Sequence, residues 1–375
     1  MKLLITGSKG FIGKNLVIRL KEEGIHEILE YDLDTPKELL EAYCKICDCV
    51  IHLAGINRPK SEEEFMQGNC DFTKELIEKL KKAQNKATII VTSSIQAQRD
   101  NLYGKSKKAG EEVLIKYSEE SGNKVCIYRL PNVFGKWCRP NYNSAVATFC
   151  YNIARDLPIT VTDPNISLQL VYIDDVVEEI IGAIENKNVA YEKCYYKVPK
   201  VYTATLGEIT SLLYAFKASR TNLDVPKVSD DFSKVLYSTY TSYLPEEAFK
   251  YPLVMHTDQR GSFTEIIKTL EKGQFSVNVA KPGITKGNHW HHTKVEKFLV
   301  AYGKGCIKFR KIGTDKVITY HVSGEKLEVI DIPVGYTHSI SNEGEEDLIT
   351  FMWCNECFDP NHPDTYYEEV EHEEA

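Results

Sequence analysis

Tyr103 and Lys107 stand four positions apart, and Ser94 precedes them. On a helix, residues at that spacing share a face, so the phenol and the ammonium point the same way. A nearby ammonium lowers a phenol's pKa from about 10 and lets it trade a proton near neutrality. A second constellation lies far downstream. His289, His291, Glu296 and His338 are three imidazoles and a carboxylate, with Gly283, Gly303, Pro333, Gly335 and Asn342 punctuating them. In a strand, residues i and i+2 face the same side, so His289 and His291 can look into one interior. His292 then faces the other way. This N/O donor set suits Zn²⁺, or Fe²⁺, Mn²⁺ or Ni²⁺.

A third group binds rather than reacts. Gly7, Gly10 and Gly13 form a GxxGxxG run that includes Phe11 and Ile12. It follows a short apolar run and opens a helical pattern. Glycines let a backbone turn tightly against a pyrophosphate, whose charge a helix N-terminus favours. Asp32 lies 19 residues beyond Gly13, where an acid accepts the adenosine ribose hydroxyls. Its charge disfavours a 2′-phosphate, which points towards NADH.

The elements that must position these groups fall into two styles. Strand runs Lys2–Thr6, Glu27–Asp32, Val50–Ala54, Thr88–Ser93 and Lys124–Leu130 alternate with helical patterns such as Gly13–Glu23, Phe72–Ala83 and Lys105–Glu120. That alternation predicts an α/β domain with a doubly wound parallel sheet of Rossmann type. In such sheets ligands sit beyond the carboxyl ends of the strands. After Tyr251-Pro252 helical periodicity gives way to short strands: Gln274–Ala280, Lys297–Tyr302, Gly305–Lys311, Lys316–Val322, Lys326–Ile332 and Asp347–Trp353. Many short strands separated by Gly and Pro turns predict an all-β barrel or sandwich. The expected division is residues 1–243, a linker 244–251, and residues 252–375. The acidic stretch 368–375 reads as a frayed end.

Composition narrows the function. The chain has 375 residues with a formal net charge of −8, against the basic excess of nucleic-acid binders. No apolar run approaches a membrane span of roughly 18 residues, and the opening segment is too short and glycine-broken for a signal peptide. Eleven scattered cysteines then read as reduced thiols of a cytoplasmic protein. The pairs Cys44/Cys47 and Cys354/Cys357 lack a second pair at zinc spacing.

Taken together, Thr6–Gly13, His52-Leu53-Ala54-Gly55, Ser94, Tyr103 with Lys107, Pro131–Gly135 and Tyr172–Val176 resemble the extended short-chain dehydrogenase/reductases. The resemblance implies that Tyr103 is the catalytic acid, that Lys107 binds the nicotinamide ribose, and that Ser94 holds the reacting oxygen. It places Leu53 and Ala54 at the cofactor and Asn132 at the substrate. Ser94 is followed by Ile95-Gln96-Ala97, without the acid pair of the sugar-nucleotide dehydratases, which favours plain ketone reduction.

The histidine motifs resemble those of the cupins, jelly-roll barrels, with Leu327 in place of the usual glycine before Pro333. Asp258–Glu265 resembles the opening of the sugar-nucleotide 3,5-epimerases, whose base matches His289. His289 is therefore base or ligand, and the complete donor set favours ligand. For the acid and base at C3, Lys286, His292, Tyr336 and the neighbours of His338 stay open. In its order of domains and in Asn141-Tyr142-Asn143-Ser144, Tyr237-Ser238-Thr239-Tyr240, Lys281–Thr293 and Phe358-Asp359-Pro360, the chain is similar over nearly its full length to the bacterial bifunctional capsule enzymes of UDP-N-acetyl-L-fucosamine synthesis. That resemblance implies a homodimer with NADPH, Zn²⁺ and a UDP-linked 4-keto-6-deoxy amino sugar as partners, and adds Lys286 to the substrate site. It implies C3 epimerisation in the cupin, then C4 reduction.

Overall fold

The computed structural model describes residues 1–59, 61–269 and 271–371. The chain divides into two compact units, Met1–Ala215 with Lys227–Glu246, and Phe216–Pro226 with Glu247 onward.

The first unit contains β1 (Lys2–Thr6), β2 (Glu27–Tyr31), β3 (Cys49–His52), β4 (Thr88–Ser94), β5 (Val125–Leu130), β6 (Asn132–Phe134), β7 (Ser167–Tyr172), β8 (Tyr195–Tyr196) and β9 (Tyr202–Thr205). Six of these form a parallel sheet in the order β2-β1-β3-β4-β5-β8. Side chains alternate across a strand, and here both faces are apolar. Leu3, Ile5, Ile51, Cys126 and Tyr128 pack on one face with the helix Ile173–Ile184. Leu4, Val50, Ile89, Val125 and Ile127 pack on the other with Leu40, Leu76, Leu80 and Leu114. Burial on both sides accounts for strand runs that are apolar throughout rather than alternating. A small second sheet, β6-β7-β9, is absent from the sequence expectation.

The second unit is all-β apart from short helical pieces. Its strands are β10 (Met255–Asp258), β11 (Gly261–Thr269), β12 (Gly273–Ala280), β13 (Thr285–Trp290), β14 (Glu296–Tyr302), β15 (Lys304–Lys311), β16 (Val317–Ser323), β17 (Val329–Ile332), β18 (Tyr336–Asn342), β19 (Leu348–Cys354) and β20 (Tyr366–Tyr367). One sheet runs β10-β11-β12-β19-β14-β17 and the other β16-β15-β18-β13-β20. Ala280, Phe298, Val300 and Leu348 of the first meet Ile307, Phe309, Val322 and Ile340 of the second to form the core.

The expected frayed end does not hold for residues 368–371. Val370 is buried, and the buried Arg310 donates to the Val370 and Glu369 carbonyls at 2.9 and 2.7 Å and to the Glu368 carboxylate at 2.8 Å. Burying a guanidinium requires such partners, so this acidic stretch is tied down. Residues 372–375 lie outside the described residues.

Candidate functional site

In the first unit the candidate residues gather at the carboxyl ends of the parallel strands. The strand order reverses direction between β1 and β3, where doubly wound sheets bind ligands. Gly7 follows β1 with φ +71°, and a Cβ there would lie 2.7 Å from the Ala54 nitrogen. Any side chain would separate the glycine turn from the Leu53-Ala54 segment. Gly13 sits even closer, its hypothetical Cβ 2.1 Å from the Gly7 carbonyl oxygen. Phe11 and Ile12 begin the helix Phe11–Glu23 and pack against the core below. Asp32 lies beside the turn, its carboxylate accepting from the backbone N–H of Lys9 at 2.7 Å and of Leu33 at 2.8 Å. It therefore braces the glycine turn. Gly7→Ala should lower the melting temperature by several degrees and remove any further rise that a nicotinamide cofactor, NADH or NADPH, gives the wild type. A thermal-shift measurement with and without cofactor checks both.

Tyr103 and Lys107 lie on the helix Leu102–Ser121, whose start is fixed when Asn101 accepts from the Gly104 N–H at 2.8 Å. Ser94 ends β4 and hydrogen-bonds the Tyr103 phenol. Burial pushes the phenol's pKa up, and that bond only partly offsets it. Burial pulls Lys107 down to about 8, against the opposing charge of Glu111. The Lys107 ammonium donates to the Thr92 carbonyl at 3.0 Å. The neighbouring serines separate by role, for Ser93 turns away and donates to Glu111 at 2.5 Å. Asn132 starts β6, exposed, and donates to the Gln169 carbonyl at 3.0 Å.

Two residues outside the sequence reading support this set. Glu111 is buried and forms a two-pronged pair with Arg129, while the Tyr195 hydroxyl donates to it at 3.1 Å. Its spacing from Lys107 is again four, so the helix face itself was the available signal. Asn69 lies in the π-type turn Gln67–Asp71. It accepts from the Ile56 N–H at 2.9 Å and donates to Ser106 at 3.0 Å, fastening the loop after β3 to the Tyr103 helix. A single wide turn leaves no pattern in residue types.

In the second unit the other four candidates converge. His289 on β13 is in register with His338 on β18, Glu296 opens β14, and His291 follows β13. Their ligand atoms all lie within 4.8 Å of one another. Glu296 is 3.4 Å from His291 and 3.3 Å from His338. His291, His338 and Glu296 are buried and His289 is half-buried. They line a cavity of about 530 Å³ together with Lys286, Asn278, His256 and Cys354, a volume that suits a small ligand.

The donor set fits a divalent ion. Both ring nitrogens of His338 are buried without a good hydrogen bond, a costly arrangement unless something else satisfies them. His291 donates through Nδ1 to the Asp364 carbonyl at 2.5 Å, which leaves Nε2 facing the cluster, the usual outer support of a metal-bound imidazole. Burial and the neighbouring His338 bring His289 down to about 4, so it is neutral and able to ligate. Burial pushes the Glu296 carboxyl up, yet its bond to His291 and the close approach of His338 outweigh this and hold it below the usual range.

Of the open candidates at C3, Lys286 lines the cavity. It donates to Asn278 at 2.8 Å and to the Val279 carbonyl at 2.9 Å. His292 is exposed and packs against Trp290 and Tyr366. Asp364, unmarked by the sequence reading, accepts from the N–H groups of His292, Thr293 and Lys294 at 2.8 to 3.0 Å. Among the described residues all eleven cysteines are free thiols, and burial raises most of them. No described helix is long and apolar enough to cross a membrane.

Two family models match the chain. Residues 3–196 match the model of the NAD dependent epimerase/dehydratase family, and residues 256–366 that of the polysaccharide biosynthesis C-terminal domain. A UDP-2-acetamido-2,6-beta-L-arabino-hexul-4-ose reductase of Pseudomonas aeruginosa is 44% identical over 366 residues, covering 98% of each chain. The crystal structure of the capsular polysaccharide assembling protein CapF from Staphylococcus aureus superposes with a TM-score of 0.93 at 55% identity, covering 99% of this chain and 100% of that one. A Bacillus cereus UDP-glucuronic acid 4-epimerase in complex with NAD, 21% identical, covers 65% of this chain at a TM-score of 0.53 and shares its fold. By these matches the chain belongs to the NAD dependent epimerase/dehydratase family, and its second unit matches the polysaccharide biosynthesis C-terminal domain.

Proposed function

We propose that this chain acts twice on one UDP-2-acetamido-2,6-dideoxy-4-hexulose: C3 is epimerised in the cupin domain, residues 252–375, and the C4 ketone is then reduced in the dehydrogenase domain, residues 1–243. The product is UDP-2-acetamido-2,6-dideoxy-L-talose, for capsule or O-antigen synthesis. What carries the reading is the presence, on one chain, of the Ser94/Tyr103/Lys107 set and a buried donor cluster in a ligand-sized cavity. The name of the Pseudomonas relative supports the substrate class. The reading takes NADPH as reductant, Zn²⁺ as the ion, and a cytoplasmic homodimer as the working form.

For reduction, a nicotinamide bound at the glycine turn would supply hydride for C4. Tyr103 gives its phenolic proton to the ketone oxygen, Ser94 holds that oxygen, and the Lys107 ammonium stabilises the phenolate left behind. Asp32 holds the adenosine ribose and Asn132 the sugar. For epimerisation, His289, His291, Glu296 and His338 would hold the ion, which supplies Lewis acidity towards a ketone oxygen. Lys286, whose pKa burial lowers, lines the same cavity and would bind the substrate there, with the acid and base at C3 open between it, His292, Tyr336 and the neighbours of His338.

A pH profile tests the assignment of Lys107. With its pKa near 8, the ammonium form is complete below that value, so reduction should be flat at lower pH and fall as pH rises through about 8. The unfolded chain binds this proton more tightly than the folded one, so fold stability from this group rises with pH between about 8 and 10.5. A rate that climbs through pH 8 would remove Lys107 from this role.

The whole reading is tested by NMR of the 4-keto substrate with the enzyme in D₂O. Deuterium should enter C3 without reductant, and NADPH should then yield the 4-hydroxy sugar. No C3 exchange leaves a simple reductase. Turnover without consumed reductant marks a C4 epimerase that recycles bound NAD⁺.

A further inference from the structure

We propose a second divalent-metal site in the C-terminal unit, formed by Cys306, His321 and Glu343 and separate from the four-residue cluster in the cavity. Among the described residues, these side chains form the other group whose ligand atoms all lie within 4.8 Å of one another. The placement follows from sheet register. Cys306 on β15 is directly opposite His321 on β16 and Ser341 on β18. Residues directly opposite in a sheet share a face, and Glu343, two beyond Ser341, returns to that face. His321 Nδ1 and the Glu343 carboxylate are 3.1 Å apart.

The backbone under the ligands is held independently of any ion. β15 and β16 are paired through seven consecutive positions. The Glu343 N–H donates to the Lys304 carbonyl at 3.0 Å. Beside it, the buried Asn342 donates to the carbonyls of Ala280 and Glu346 at 2.9 and 2.8 Å and accepts from Gly344 at 2.9 Å. Three ligands from two strands and a pinned turn need only side-chain adjustment to close on an ion. Their burial is graded, with Cys306 inside and both His321 and Glu343 exposed, so an ion can enter from solvent and keep water in its remaining position.

Thiolate, imidazole and carboxylate together select a borderline ion such as Zn²⁺ or Co²⁺ over Mg²⁺ or Ca²⁺. Thiolate and carboxylate supply two negative charges against the ion's two positive ones, and the thiol proton leaves to solvent on binding. The neighbouring cation Lys308 is neutralised by Glu371 at 2.8 Å. β16 is the edge of its sheet, so the ion would tie an edge strand to its neighbour and to the turn after β18. The site is thus a structural staple, and it does not depend on the proposed reactions.

Cobalt separates it from the cavity cluster, because the four residues there include no sulfur ligand. Titrating the metal-free full chain with Co²⁺ should give two bound ions and a near-ultraviolet sulfur-to-cobalt charge-transfer band. Cys306→Ser should remove the band and one ion, whereas Cys354→Ser, in the cavity, should keep the band. His321→Gln and Glu343→Gln alter exposed side chains and leave the fold intact, and each should weaken the sulfur site at least about tenfold. Hydrogen exchange of β16 amides should slow on cobalt addition in the wild type and not in Cys306→Ser. A band that is missing from the wild type, survives Cys306→Ser, or vanishes with Cys354→Ser overturns the proposal. So does unchanged affinity in both surface variants, which decide the matter if Cys306→Ser fails to fold.

Discussion

Tyr103→Phe should abolish ketone reduction, by about 10²–10⁴-fold, while deuterium exchange at C3 continues at the wild-type rate. The substitution removes one oxygen from a mostly buried ring and leaves its packing against Phe65, so the fold and cofactor binding should survive. What is lost is the proton that the C4 oxygen must receive. Ser94 keeps its other bond, from the Gln96 N–H at 3.2 Å, but its hydroxyl is too weak an acid to replace a phenol beside the Lys107 ammonium. Single-turnover NADPH oxidation and NMR exchange, measured on the same preparation, separate the two reactions. Loss of both would mean that they share one site. Retained reduction would move the acid away from Tyr103.

Glu296→Gln should empty the cavity cluster of metal and stop C3 exchange, while reduction of already epimerised substrate proceeds normally. The carboxylate is the only anionic member of the cluster and lies buried between His291 and His338. A neutral amide there offers a poorer donor and no charge to balance a dication. Loss of a mere supporting residue costs a metal site 10–100-fold in affinity, so loss of a ligand should cost roughly 100-fold or more. Metal content by mass spectrometry checks this without reference to activity. An ion retained at wild-type affinity would refute the ligand set, and exchange persisting in a metal-free protein would detach the ion from the chemistry.

The parts legible in the sequence were those set by local period. Tyr103 and Lys107 share a helix face by spacing alone, and His289 and His291 share a strand side in the same way. Each pair is then brought to its partners by strand ends that the glycine and proline punctuation already marks. The parts that were not legible depend on contacts between distant segments. Glu111 reads as an ordinary exposed helix glutamate until Arg129 of β5 and Tyr195 of β8 close over it. The function of Asp364 near the cluster belongs partly to its backbone carbonyl, and a carbonyl has no residue type to betray it. The sheet β6-β7-β9 was missed because its strands are short and separated by long excursions. In the second unit, β13 and β18 carry His289 and His338, which the sequence sets on strands without bounding either one. Their glycine, asparagine and serine content masks them, and Gly287 and Asn288 bend β13 through positive φ.

The hold of Asp364 on His291, and of Arg310 on residues 368–370, has a consequence for how the protein is made. All four candidate ligands have left the ribosome before Asp364 does, so the cluster is assembled in a growing chain that still lacks its outer support. An ion captured at that stage would sit among mobile imidazoles and exchange readily. Only when the closing segment lies across β13 does the His291 ring acquire its fixed orientation. Final selection of an ion by this cluster would then be a late, post-synthetic event, and a bulky insertion between Asp364 and Val370 should disturb it without touching a single candidate ligand.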